Sequence, residues 1–278
     1  MKPHISVCIP VYQGASTLAA TLRSVLASGR ADFEVVIRDN GSTDGTSDVI
    51  AGFDDPRIRI IRSEKTLPLP ANWRATVDQA RGELIKVVCA DDLIHPDCLA
   101  TQAALLEDPS LALVACRRDF IDGNGKVLTR NAGLPGLLGR RGVHEVARAA
   151  VRFGINPVGE PACVMFRRRD YEAIGGFDGS NVFAMDIDAW LRILTRGDMF
   201  GQSESHAAFR MWTESFSNSH NRQQLDDHIR FLRRVANDPR YEIPAVLRHL
   251  APAAAHVSWR AWTVRQRLWG RKSASKTG

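Results

Sequence analysis

Phe33-Glu34-Val35-Val36-Ile37 runs directly into Arg38-Asp39-Asn40-Gly41-Ser42-Thr43-Asp44-Gly45. An apolar run that closes on a carboxylate, then a Gly/Ser/Asp turn, then a short helical stretch to Ile50 reads as one strand–turn–helix unit. The same alternation extends on both sides of it. Ile5 to Val11 reads as a buried strand, and Ala15 to Ser28 has helical spacing (Leu18, Leu22, Val25, Leu26) and stops at Gly29. Further on, strands are expected at Ile58–Ile61, Leu84–Cys89 and Leu111–Cys116, with helices at Pro70–Arg81 and Pro96–Glu107 between them. Short, nearly continuous apolar strands separated by helices predict an α/β fold: a doubly wound, mostly parallel sheet with helices on both faces.

The second half is less regular. Asp122-Gly123-Asn124-Gly125 signals a hairpin, and residues 133–142, rich in Gly and Leu, read as a mobile loop. A strand is expected at Ala162–Phe166, a short helix to Ile174, a turn at Gly175-Gly176-Phe177-Asp178, a helix over Asp186–Arg196 and a strand near Ser205–Met211. Helical patterns cover Gln223–Val235 and Pro244–Leu268.

Open parallel sheets bind ligands outside the carboxyl ends of their strands. Three polar clusters fall there: Pro10-Val11-Tyr12-Gln13-Gly14, Arg38 to Gly45, and Ala90-Asp91-Asp92. The second lacks both G-x-G-x-x-G and a P-loop lysine, which disfavours a dinucleotide fold or a Walker cradle. Turn and cap chemistry accounts for Ser42, Thr43 and Asp44. It does not account for Asp39, whose carboxylate at a strand end suits a base or ribose. Asp91 and Asp92 are adjacent like charges, for which Mg²⁺ or Mn²⁺ is the natural partner; Asp92 alone reads equally as the cap of the helix near Pro96. Asp186 and Asp188 open a helix about 200° apart, so only one of them faces the crevice, and the spacing does not choose.

At 278 residues the chain suits one large domain or two small ones, and 44% hydrophobic with 24% charged residues is ordinary for a globular protein. No apolar run approaches the roughly 18 residues of a membrane-spanning helix, and Met1-Lys2-Pro3-His4 begins no signal-peptide core, so the expected location is the cytoplasm. The net charge is +6, but seven basic residues and no acid lie beyond Ile243, leaving 30 basic against 31 acidic residues elsewhere. A nucleic-acid-binding surface is therefore not expected. The tail interleaves Trp259, Trp262, Leu268 and Trp269 with Arg260, Arg265, Arg267 and Arg271. It reads either as a helix lying on an anionic membrane or as one packing its tryptophans on the domain. The five cysteines, Cys8, Cys89, Cys98, Cys116 and Cys163, form no C-x-x-C and are expected as reduced thiols.

In this order, the clusters resemble family 2 of the inverting glycosyltransferases, of GT-A fold. The stretches that carry the likeness are Ser6–Tyr12, Glu34–Thr46, Asn72-Trp73 to Glu83, Ala90-Asp91-Asp92 with Pro96, Gly175–Asp178 and Asp186–Arg192. The resemblance implies a nucleotide-diphosphate-sugar donor and single-sugar transfer with inversion to a sugar or lipid-linked acceptor. It also implies a nucleotide pocket at Pro10, Val11, Tyr12, Asp39, Asn72 and Asp91, a metal at Asp91 and Asp92, and Asp186 as catalytic base. Lys65, Arg74 or Lys86 is expected either near the phosphates or on the surface. Residues 1–220 would form the transferase domain (1–92 nucleotide half, 93–220 acceptor half) and 221–278 a basic helical extension. Three departures stand out: Cys89 replaces the first acid of the D-x-D-D run, Met185 replaces the acid before the base, and Trp212 stands where a His is common, with His220 out of register. A non-catalytic nucleotide-sugar-binding module and a sugar nucleotidyltransferase are the alternatives.

Overall fold

The computed structural model describes residues 3–211 and 221–274 of the chain. Trp212, His220 and Lys276, and the side chains of Arg267, Leu268 and Arg271, lie outside the described set. One sheet organises the molecule, with strand order β3-β2-β1-β4-β9-β6-β10-β5 and with β7 and β8 attached at its side. The strands that matter for the site are β1 (Ile5–Val11), β2 (Phe33–Asp39), β3 (Ile58–Arg62), β4 (Leu84–Val87), β6 (Leu111–Ile121) and β10 (Asp198–Arg210). All six run the same way: β1 is parallel to β2 and β4, β2 to β3, and β10 to β6. The antiparallel β9 (Val164–Arg167) joins β4 to β6 and preserves that direction. Their carboxyl ends therefore share one edge of the sheet. Every residue of β1 and β2 is buried, as expected for central strands covered on both faces.

The helices between them are α1 (Leu18–Leu26), α2 (Thr46–Ala51), α3 (Leu69–Val77) and α4 (Cys98–Leu105). The first turn of α4 follows Asp97, not Asp92, so Asp92 is not its cap. A two-residue strand, β5 (Leu93–Ile94), precedes it and pairs with β10; it is too short to leave a periodic signal. Asp122–Gly125 does turn a hairpin, from β6 into β7 (Val127–Ala132).

Two expectations are corrected here. Residues 133–142 are anchored: Gly139–Arg141 forms β8 against β10, and Leu134 and Leu137 are 1% and 2% exposed. The leucines that suggested a loose loop instead plug it into the core. Lys86 is not near a phosphate site or on the surface. It is fully buried, and its Nζ donates to Gln102 Oε1 at 2.8 Å, while Gln102 Nε2 donates to the Cys163 carbonyl at 2.8 Å. A buried ammonium persists only with such partners.

The second half adds α5 (Val143–Phe153), α6 (Arg168–Ala173), α7 (Met185–Ile193), α8 (Asn221–Asn237) and the 30-residue α9 (Ala245–Ala274). The last of these packs on the domain: Ala251 and Ala255 are buried. Gly154, at φ +63°, lets the backbones meet, since a Cβ there would lie 2.4 Å from Ala254. Trp262 and Trp269 turn inward onto Phe120, ring centroids 5.7 and 5.3 Å away. No helix among the described residues is long and apolar enough to cross a membrane. All five cysteines are free thiols.

Candidate active site

The loops after β1 and β2 are stapled together. Gln13 N donates to Ser42 Oγ (2.9 Å), Gly14 N to Thr46 Oγ1 (2.9 Å) and Ala15 N to Asp44 Oδ2 (3.0 Å). Ser42, Thr46 and Asp44 therefore do more than turn their own chain: they hold the neighbouring loop open toward solvent. Gly45, at φ +89°, supplies the left-handed residue that starts α2. Asp39 is 1% exposed; its carboxylate accepts from Ser42 N (2.9 Å) and Ser47 Oγ (3.1 Å). Arg38, to which the sequence pattern assigns no role, is also buried. Its guanidinium donates to Asn72 Oδ1 (2.6 Å), Asn40 Oδ1 (3.1 Å) and Ser63 Oγ (2.9 Å), and so fixes two amides at the site.

A cleft of about 560 Å³ opens at this edge. Pro10, Tyr12, Asn40, Leu67, Asn72, Trp73, Cys89 and Asp91 are among its walls. Of the expected nucleotide residues, Pro10, Tyr12, Asn72 and Asp91 line it; Val11 and Asp39 lie behind the wall, both 1% exposed. Tyr12 is 53% exposed at the rim, where its aromatic face can stack on a ring.

Asp91 and Asp92 follow β4. Asp92 is fully buried; Oδ1 accepts from Arg210 N at 3.1 Å, while Oδ2 has no partner. Burial and then Asp91 push its carboxyl well above the ordinary range. Arg210 ties the segment down: Nε donates to the Asp91 carbonyl (2.9 Å), and Nη1 to the Asp122 (3.1 Å) and Gly123 (2.9 Å) carbonyls. One ligand atom each of Cys89, Asp91 and Asp92 lie within 4.8 Å of one another. Two crowded carboxylates, one with an orphaned buried oxygen, make a donor set that fits a divalent cation.

Asp186 opens α7. Its Oδ2 accepts from Asn156 Nδ2 (2.9 Å) and its Oδ1 from Ile187 N (2.7 Å). Asn156 cannot turn, because its Oδ1 takes both Val158 N and Gly159 N at 3.0 Å. Burial foremost, and then the Glu160 charge, push Asp186 up to about 6. Glu160 itself pairs with the nearly buried Arg118. The Cys89 thiol is raised by burial first, and then by the charges of Asp92, Asp91, Asp186 and Glu160. Asp188 serves elsewhere, pairing with Arg192 (2.7 Å) and with Arg234 of α8 (2.6 Å). Asn156 and Glu160 escape sequence reasoning because they sit in an irregular loop with no motif; only their folded position reveals them.

The family model described as Glycosyl transferase family 2 matches residues 6–175. The chain belongs to that family. An uncharacterized protein of Mycobacterium tuberculosis is 34% identical over 208 residues, covering 70% of this chain and 63% of that protein. The succinoglycan biosynthesis protein ExoO of Rhizobium meliloti is 27% identical over 126 residues, 45% of this chain and 36% of its own length. The chain thus spans less than two thirds of each of these relatives. Among solved structures, Staphylococcus aureus TarS 1–349 in complex with UDP-GlcNAc superposes with a TM-score of 0.67 at 15% identity, covering 92% of this chain and 71% of that one. The Pyrobaculum calidifontis mannosyltransferase PcManGT in complex with GDP-Man and Mn²⁺ gives 0.65 at 18%, covering 100% and 81%. At these identities the likeness establishes the fold, which is GT-A. This member of the family presents its polar clusters at the strand carboxyl ends.

Proposed function

We propose that the chain is an inverting glycosyltransferase that moves one sugar from a nucleotide-diphosphate donor to an acceptor hydroxyl in polysaccharide or glycolipid assembly. The observation that carries the reading is Asp186: a carboxylate at the start of α7, raised to about 6 and locked by Asn156. Family membership supports the donor class, and the name of ExoO supports the setting. Tyr12, Asn40 and Asn72 would bind the nucleoside, with Arg38 holding the two amides in place. Asp39 would act from behind, by keeping the Ser42 loop in shape. Asp91 and Asp92 would hold Mg²⁺ or Mn²⁺, which supplies Lewis-acid neutralisation of the departing diphosphate. Asp186 Oδ would take the acceptor's hydroxyl proton as that oxygen bonds to C1 and the C1–O bond to phosphate breaks.

The test is a screen of UDP- and GDP-sugars with Mn²⁺, read as thermal shift and as nucleoside diphosphate release. A donor at 100 times its Kd stabilises the fold by about 2.7 kcal/mol. EDTA is expected to abolish both signals; full turnover after EDTA treatment removes the cation role. A donor that binds and is never consumed favours the binding module, to which the Cys89 and Met185 departures belong.

The membrane reading of the tail changes its surface. With Trp262 and Trp269 turned inward, the outer stripe of α9 is Val246 (69% exposed), Leu250 (52%), Val257 (69%) and Val264 (54%), flanked by Arg260 and Arg265. We propose that this stripe lies on an anionic bilayer, which would bring a lipid-linked acceptor to the cleft. The doubly substituted Val257→Asp/Val264→Asp chain should lose flotation with phosphatidylserine vesicles that the native chain retains. Equal partitioning of the two removes the proposal.

A further inference from the structure

We infer that Cys89 is itself a metal ligand, and that it biases the site toward thiophilic divalent cations such as Co²⁺ and Zn²⁺ over Mg²⁺. The inference rests on the metal-site reading above and names the cation class that site selects. Cys89 differs from the other four thiols. It is half-buried and lines the cleft, whereas Cys8, Cys98, Cys116 and Cys163 are buried. Its Sγ and one oxygen each of Asp91 and Asp92 lie within 4.8 Å of one another. Three ligands at about 2.0–2.3 Å from one ion stand roughly 3.5–4 Å apart, so the trio closes on a cation by drawing together by up to about 1 Å.

A second observation points to the same spot. Asp92, a fully buried member of this trio, has its Oδ1 on Arg210 N but leaves Oδ2 without a partner. The Arg210 guanidinium, which ties down this segment, is committed to three carbonyls and not to the carboxylates. A dication relieves the crowding of the adjacent Asp91 and Asp92 carboxylates.

The donor set then decides which dication. Mg²⁺ demands oxygen ligands in near-ideal octahedra. A thiolate in place of a carboxylate removes one of those oxygens and adds a soft donor that later transition metals prefer. On binding, the Sγ proton passes to solvent and sulfur's lone pair goes to the metal, with no change of oxidation state.

The experiment titrates Co²⁺ into the full chain, alone and with UDP or GDP, and reads the near-ultraviolet sulfur-to-cobalt charge-transfer band. The native chain should show the band. Cys89→Ser should lose it while keeping the native circular dichroism. Cys89→Asp should shift the Zn²⁺-to-Mg²⁺ affinity ratio toward Mg²⁺ by about tenfold or more, because it exchanges a soft donor for a hard one. Absence of the band in every native sample, its persistence in Cys89→Ser, or an unchanged ratio in Cys89→Asp overturns the inference. The readouts are independent of catalysis. A chain that shows the band and transfers no sugar keeps this inference and loses the proposed function, and a chain that transfers sugar without the band does the reverse.

Discussion

Asp186→Asn is expected to cut sugar transfer by about 10²–10⁴-fold, the range that general-base help contributes, with donor affinity unchanged. The amide keeps the size of the side chain at the start of α7 and cannot accept the hydroxyl proton. The pH dependence carries a sign. A base raised to about 6 is charged, and active, above that pH. Turnover of the native chain should therefore rise between pH 5 and 7 (a window of about one unit either side) and fall as acid protonates the carboxylate. Asn156→Ala should move this limb to higher pH, because it removes a hydrogen bond that favours the charged form. A loss through misfolding would lower donor affinity as well, so calorimetric titration of donor separates the two causes. Near-native turnover in Asp186→Asn removes this residue from the mechanism.

The largest stability effect is expected at Arg210. The residue is 5% exposed and its guanidinium satisfies the carbonyls of Asp91, Asp122 and Gly123. Each buried polar group left without a partner costs about 1–3 kcal/mol. Because these carbonyls are only partly buried, Arg210→Ala should lower unfolding free energy by about 1–3 kcal/mol, read as a fall in urea midpoint at constant slope. Arg210→Lys, with one point donor in place of a planar fork, should recover only part of it. Cation affinity should fall in parallel, since the Asp91 segment loses its tether to the β6–β7 turn. A midpoint unchanged from the native chain would show that the carbonyls find other partners.

Much of the architecture is legible in the residue pattern, and the reason is physical. Continuous apolar runs such as Ile5–Val11 and Phe33–Ile37 have few ways to be buried except in central parallel strands, and Gly29 and Gly82 stop the intervening helical patterns. Residues 133–142 mislead because Gly and Leu content does not say whether a leucine finds a hole to fill; Leu134 and Leu137 do. Lys86 misleads because a lone basic residue carries no local sign that Gln102, sixteen positions away, will accept its hydrogen bond.

The candidate site divides along the same line. Local chain chemistry placed Pro10, Tyr12 and Asp91 at strand ends, because turns and carboxyl termini are properties of short segments. That Asp188 pairs with Arg192 and Arg234 while Asp186 takes Asn156, that Trp262 and Trp269 face protein, and that Asn156, Glu160 and Arg210 lie beside the candidate residues were decided only when distant segments met. Hydrogen bonds, ion pairs and burial are set by separation in space, and for these residues that separation has no record in the order of the chain.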